Sequence, residues 1–194
     1  MKIQAQASLP TAFGDFTIYA LSESQEDWTP ELILVSKNTQ LDDVVNVRIH
    51  SECITGEVFR SKKCECGPQL DAAMQYFGEN GGILIYLRQE GRNIGIINKL
   101  KAYALQEQGH DTVEANLQLG LPADGRDFQM VTEILTHFGV KKVRLFTNNP
   151  EKLAIFENHE TIELVERVPL QMPSLPENEE YLATKKNYFK HWID

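Results

Sequence analysis

The sequence predicts a single α/β domain, a mixed β-sheet flanked by helices. Three observations predict it. Apolar residues alternate in short runs such as Val45, Val47 and Ile49, the two-residue period of a strand with one buried face. Elsewhere they recur at three- and four-residue spacing, as in Leu70, Ala73, Met74 and Phe77, the period of a helix face. The first strand-like runs also follow one another too closely for helical crossovers, so part of the sheet is antiparallel. With 194 residues, 42% of them apolar, the chain has material for one full core. Residues 1–194 therefore read as one domain, with its core over about 5–170 and a C-terminal helix over 178–192.

In chain order, residues 31–35 and 44–49 read as strands joined through Asp42-Asp43. The helix carrying Leu70 to Phe77 ends at Gly78, Gly81 and Gly82, before an apolar strand at 83–87. A second helix places Ile96, Leu100, Tyr103 and Ala104 on one face, with Gly109 as its stop. Asp127 is positioned to cap a third, whose inner face is Phe128, Val131, Ile134, Leu135 and Phe138. Strand 142–147 follows, then a helix start with Asn149 as N-cap and Pro150 in the first turn, where its missing N–H costs nothing. A strand at 162–168, a proline-rich loop at 169–176 and an amphipathic helix bearing Tyr181, Lys185, Tyr188, Phe189 and Trp192 complete the chain.

No apolar run approaches the roughly 20 residues that span a bilayer, and residues 1–10 lack the basic start and apolar stretch of an export signal. A soluble, cytoplasmic protein is expected, with its three cysteines reduced. The net charge of −9 argues against a nucleic-acid or anionic-membrane surface. That acidity is concentrated at the two ends. Between Arg60 and Lys101 basic residues outnumber acidic ones, which suits either a small polyanion or a solvated mixed-charge surface.

Cys53, Cys64 and Cys66 fall within fourteen residues as C-x10-C-x-C. Three thiolates around a tetrahedral zinc, at about 2.3 Å each, leave one position for water, the arrangement of a catalytic site. The spacing by itself also accommodates buried or redox-active thiols. His50, three residues before Cys53, would close the shell if it were a ligand and make the zinc structural; a hydrogen-bonding role is the simpler reading.

Three polar segments have the makings of a nucleotide site. Residues 88–95, with Glu90, Gly91 and Arg92, follow a strand and open a helix, where backbone N–H groups and the helix dipole favour phosphate. They match neither the Walker loop nor the dinucleotide fingerprint. Thr147-Asn148-Asn149-Pro150 repeats that placement, with Lys152 as a point charge, although a capped helix start is by itself the better reading of it. Asp124 and Arg126 put a carboxylate and a guanidinium two residues apart in a turn, a pair able to fork a phosphate or to fix a loop.

Read together, Arg48-Ile49-His50-Ser51-Glu52-Cys53, Cys64-Glu65-Cys66-Gly67, the 88–95 segment, Tyr103-Ala104-Leu105-Gln106, Asp124-Gly125-Arg126 and Thr147-Asn148-Asn149-Pro150 resemble, in order and spacing, the GTP cyclohydrolase II family. The resemblance runs from Leu9 to the region of Arg167. It implies an enzyme that converts GTP to a ribosylated diaminopyrimidinone phosphate, formate and pyrophosphate, with Zn²⁺ and Mg²⁺, at the first step of riboflavin synthesis. It further implies a homodimer. By the resemblance, Cys53, Cys64 and Cys66 are the zinc ligands and His50 stands outside the first shell. Arg48, Ile49, His50, Ser51, Glu52, Gln69, Glu90, Gly91, Arg92, Thr112, Thr147 and Lys152 match the GTP-binding positions, with Glu90 and Gln69 as candidate readers of the guanine edge. Asp124 matches the proton acceptor, Arg126 the nucleophile toward the α-phosphate, and Tyr103 a group near the purine.

A guanidinium stays protonated above pH 12 and offers no lone pair, so an electrostatic role for Arg126 is the simpler alternative. Gly125, and Ser61-Lys62-Lys63 ahead of Cys64, depart from the common family pattern without removing a named group. A non-catalytic zinc and nucleotide sensor, a diverged paralogue and a structural zinc domain are the competing readings.

Overall fold

The computed structural model describes residues 1–193. Strands β1 (Lys2–Thr11) and β2 (Gly14–Ser22) form an antiparallel hairpin, β3 (Glu31–Ser36) pairs antiparallel with β2, and β5 (Ile83–Leu87) antiparallel with β3. β4 (Val44–Ser51), β6 (Lys142–Phe146) and β7 (Glu163–Val168) continue the sheet in parallel, giving the order β1-β2-β3-β5-β4-β6-β7. The sheet is mixed, as the close early strands require. The opening hairpin was not among the expected elements: β1 is a mostly exposed edge strand with small Ala5 and Ala7 at alternating positions, a weak pattern with low strand preference.

Two cores sandwich the sheet. On one face α6 (Met130–His137) packs Val131, Ile134 and Leu135 against Val45, Val47 and Ile49 of β4 and Ile83 and Ile85 of β5. On the other, α2 (Cys66–Asn80) packs Ala73, Met74 and Phe77 against Phe16, Leu84 and Phe146. Because the period of a strand is two, the β4 residues between its apolar ones, Asn46, Arg48 and His50, lie on the α2 face, and they too are buried. Burying a guanidinium and an imidazole is costly without partners, and these partners belong to the site.

β4 lies between β5 and β6, and the chain departs from it over one face and returns beyond it over the other. This is a topological switch point, where the crevice outside the carboxyl ends of parallel strands receives ligands in α/β sheets. The remaining helices crowd that end: α1 (Ile54–Glu57), α3 (Glu90–Asn93), α4 (Gly95–Gln106), α5 (Thr112–Gln118), α7 (Glu151–Ala154) and α8 (Glu179–Asn187).

Two helices differ from expectation. α4 buries Lys99 and Ala102, leaving Ile97 69% and Leu100 53% exposed; its inner face is turned by the left-handed residues ahead of it, so of the expected face Tyr103 alone meets the site. α8 ends at Asn187, short of 192, since Lys190 takes a positive φ and the Trp192 N–H donates to Asn148 O instead of to the helix. The helix starts are close to those expected. Asp127 Oδ1 accepts the Gln129 amide and Asn149 Oδ1 that of Glu151, although Pro150 stands one residue before α7. Among the described residues no helix is long and apolar enough to cross a membrane.

Candidate active site

The ends of β4, β5 and β6 feed one chamber with two halves. One half, with about 640 Å³ of free space, is lined by the three cysteines with Ser51, Glu52, Gly91, Arg92, Lys99, Tyr103, Thr112 and Arg126. The other, about 470 Å³, is lined by Arg48, His50, Gln69, Thr147, Asn149, Lys152, Lys185 and His191. Ser51, Cys66, Arg126 and Tyr181 line both.

The metal half begins with a rigid loop after β4. Glu57 Oε1 accepts the Cys53 N–H at 2.7 Å and His50 Nε2 at 2.9 Å, while Tyr86 Oη donates to Glu57 Oε2 at 2.5 Å. One buried carboxylate thus orients the residue bearing the first sulfur. The three Sγ atoms lie within 4.8 Å of one another, and those of Cys53 and Cys64 are 3.6 Å apart. Tetrahedral ligation at about 2.3 Å separates sulfurs by roughly 3.8 Å, so the cluster is already near a ligating geometry. Gly56 is what makes room: a Cβ there would stand 2.7 Å from Cys64 Sγ and 3.3 Å from Cys53 Sγ.

The three thiols do not ionise alike. Hydrogen bonds from Cys64 and Cys66, assisted by the Lys99 ammonium 3.1 Å away, hold Cys53 well below the ordinary thiol range. Sharing with Cys53 pushes Cys64 up to about 11 and Cys66 upward as well. Three soft donors, one of them already a thiolate, suit zinc far better than magnesium. Lys99 is itself held by Glu90 Oε1 at 2.7 Å, and Glu90 Oε2 accepts the Ile54 amide at 2.6 Å. Burial opposes the charge on Lys99, but Cys53 and its other neighbours outweigh it and keep its pKa above that of ordinary lysine. Burial also pushes Tyr103 up to about 12, so it keeps its proton.

The 88–95 segment is more contorted than a simple helix start. Gly91, Arg92 and Asn93 have φ of 64°, 59° and 67°, left-handed values that cost a non-glycine residue roughly 1–2 kcal/mol each. The turn aims Gly91 and Arg92 at the metal half, away from the basic one. Glu52 accepts from Arg88 Nε at 2.9 Å.

The basic half is built on buried cations. Arg48 donates to Phe146 O and to Gln69 Oε1, both at 2.9 Å, and Lys152 Nζ to Ile49 O at 2.8 Å. Neither cation meets a carboxylate in these bonds. Burial pushes Arg48 down to about 10, and burial together with the charges of Arg48 and Arg126 drives Lys152 well below the lysine range. Arg48 Nε, His50 Nδ1, Ser51 Oγ, Arg92 Nη1 and Asn149 Nδ2 are buried without a protein partner among the described residues. Buried polar groups are nearly always bonded, and four of these orphans belong to residues that line the basic half.

Three expected site residues stand behind the walls. The Ile49 side chain belongs to the core, and its carbonyl alone serves, by holding Lys152. Glu90 backs Lys99, and both oxygens are already engaged. Asp124 backs Arg126, accepting Nε at 2.9 Å and Nη2 at 2.5 Å. Gln69 lines the chamber, but its amide is used by Arg48 and Leu170 O. Lys99, Gly56, Glu57, Lys185 and His191 were missed; Lys99 and Lys185 had no local signal beyond membership of a helix pattern.

Fold and site define an α/β protein with a three-cysteine cluster able to hold a metal ion, opening onto a cationic chamber. A family model described as GTP cyclohydrolase II matches residues 2–169. The chain is 49% identical over 192 residues to the riboflavin biosynthesis protein RibBA of Bacillus cereus, covering 98% of this chain and 48% of that protein. It is 48% identical, with the same coverage, to RibBA of Bacillus cytotoxicus. The chain belongs to the GTP cyclohydrolase II family. It spans about half the length of the curated relatives it matches.

Proposed function

We propose that the chain hydrolyses GTP to 2,5-diamino-6-ribosylamino-4(3H)-pyrimidinone 5′-phosphate, formate and pyrophosphate, in riboflavin biosynthesis. The observation that carries this reading is the joining, in one chamber, of a three-thiol cluster with buried cations that have no carboxylate partner. A purine ring and a polyphosphate need those two environments side by side.

In this reading Arg48, Lys152 and Thr147 receive the phosphates, and Ser51, His50 and Gln69 border them. Gly91, Arg92, Thr112 and Glu52 surround the nucleoside. Cys53, Cys64 and Cys66 would hold zinc, which would supply the Lewis acidity for hydrolytic opening of the imidazole ring. Tyr103, protonated at neutral pH, offers a hydrogen-bond donor beside that ring. Glu90 holds Lys99 against Cys53 and so sets the charge behind the metal.

Arg126 stabilises charge developing at the α-phosphorus as water attacks. The Asp124 fork supports this over a nucleophilic role, because Asp124 raises the Arg126 pKa further against the pull of burial. Among the described residues no carboxylate lines the basic half, so Mg²⁺ arrives with the triphosphate. The exposed Val58, Phe59, Ile97 and Leu100 support a homodimer, which sedimentation of the wild type beside a Leu100→Glu variant tests.

The activity is tested by incubating the protein with GTP, Mg²⁺ and Zn²⁺ and following pyrimidine absorbance, formate and pyrophosphate together, beside Cys64→Ser. All three products in the wild type, with formate and pyrimidine lost in the variant, are expected. Binding without turnover would establish the sensor reading instead.

A further inference from the structure

The family model ends at residue 169, but the chamber does not. Tyr181, Lys185 and His191, all beyond that boundary, wall the basic half, and Tyr181 reaches the metal half as well.

The segment that brings them is held by the site more than by the core. Within α8 the buried residues are Leu182 and Lys185, so little apolar surface fastens the helix to the body. Its ties are polar and aromatic. Lys185 Nζ donates to Glu65 Oε1 at 2.7 Å, between two of the cysteines, and the Trp192 N–H to Asn148 O at 3.0 Å. The Arg92 guanidinium stands 4.1 Å over the Phe189 ring.

Lys185 shares its chamber with Arg48, Lys152 and Arg126. Asp124 balances Arg126 and Glu65 balances Lys185, leaving two cations over. A magnesium triphosphate carries about that excess, and its oxygens seek more donors than Arg48 and Lys152 present. An ammonium has three donors, and Glu65 takes one of those of Lys185. The positive field is felt locally: burial, then the charges of Lys185, Arg126 and Lys152, push His191 down to about 2.

Resting on the GTP reading above, we propose that the C-terminal segment is part of the nucleotide site, with Lys185 donating to a phosphate oxygen while Glu65 retains it, and Tyr181 closing the passage between the two halves. Bound polyphosphate then adds a further tie that fastens the segment down.

The test titrates zinc-loaded protein with inorganic tripolyphosphate in saturating Mg²⁺ and, separately, with guanosine, using the wild type, Lys185→Ala and Lys185→Arg, with zinc content checked in each. The expected result is about tenfold weaker tripolyphosphate binding in Lys185→Ala, restored to within about threefold in Lys185→Arg, with guanosine affinity unchanged within about twofold. Unchanged tripolyphosphate affinity in Lys185→Ala overturns the assignment. So does equal loss of both ligands without rescue by arginine, which marks a structural role. In either case the GTP reading stands if the wild type still opens GTP. A wild type that neither binds tripolyphosphate nor turns over GTP overturns both.

Discussion

Asp124 grips Arg126 from two residues away, with its carboxylate oxygens on Nε at 2.9 Å and Nη2 at 2.5 Å. Burial works against ionising Asp124, but the hydrogen bonds and charge of Arg126 prevail and hold its pKa below the ordinary carboxylate value. Such a carboxylate is a poor base and a good anchor.

Arg126→Lys keeps a positive charge but loses the fork. Pyrophosphate release is expected to fall about 10²- to 10³-fold, and mass spectrometry of wild-type turnover should find no guanylyl adduct on Arg126. The pair also stabilises the fold. Because the folded pKa of Asp124 is depressed, its contribution is complete above the unfolded value of about 3.9 and is lost as pH falls through the lower folded value. Asp124→Asn removes that acid-limb component in denaturation measured across pH.

Gly56→Ala places a methyl where Cys64 Sγ now sits 2.7 Å away. Zinc affinity should drop at least about tenfold, read by competition with a chelator, with circular dichroism preserved. The fold should survive because neither apolar core includes a cysteine. Unfolding on chelation of wild-type zinc would instead identify a structural site.

Lys152 is a buried cation opposed by burial and by Arg48, with a carbonyl as its hydrogen-bond partner. Lys152→Met should raise the melting temperature of the free protein by about 3–6 °C, since an ill-compensated polar group is replaced by an apolar one of similar length. The same change should weaken GTP by about 100-fold.

His50 is 2% exposed, and burial lowers its pKa to about 4 against a hydrogen bond with Glu57 that raises it. The unfolded chain therefore binds a proton at His50 that the folded chain refuses. Stability should be unaffected above pH 6.5 and decline as pH falls from there to about 4, by on the order of 3 kcal/mol. His50→Gln, which keeps a donor for Glu57, should flatten that stretch of the pH profile in urea unfolding.

By itself, the sequence determined the α/β class, the mixed sheet, most strand and helix positions, and the cysteine cluster. Each of these is written in local spacing: the two-residue period of β4, the turns that end helices, and three thiols within fourteen residues. It also determined the family, because six motifs keep their order. Tertiary structure decided which groups line the chamber and which stand behind it. Ile49, Glu90 and Asp124 lie in the motifs beside true lining residues, but strand alternation and the left-handed turn at 91–93 send their side chains to the core, to Lys99 and to Arg126. The face α4 turns inward differs from the expected one for a similar reason: periodicity reports that a helix has faces, and the partner settles which is buried. The pairing of Lys185 with Glu65, 120 residues apart, had no local trace, since it arises when the sheet order β5-β4-β6 gathers loops from distant parts of the chain at one switch point.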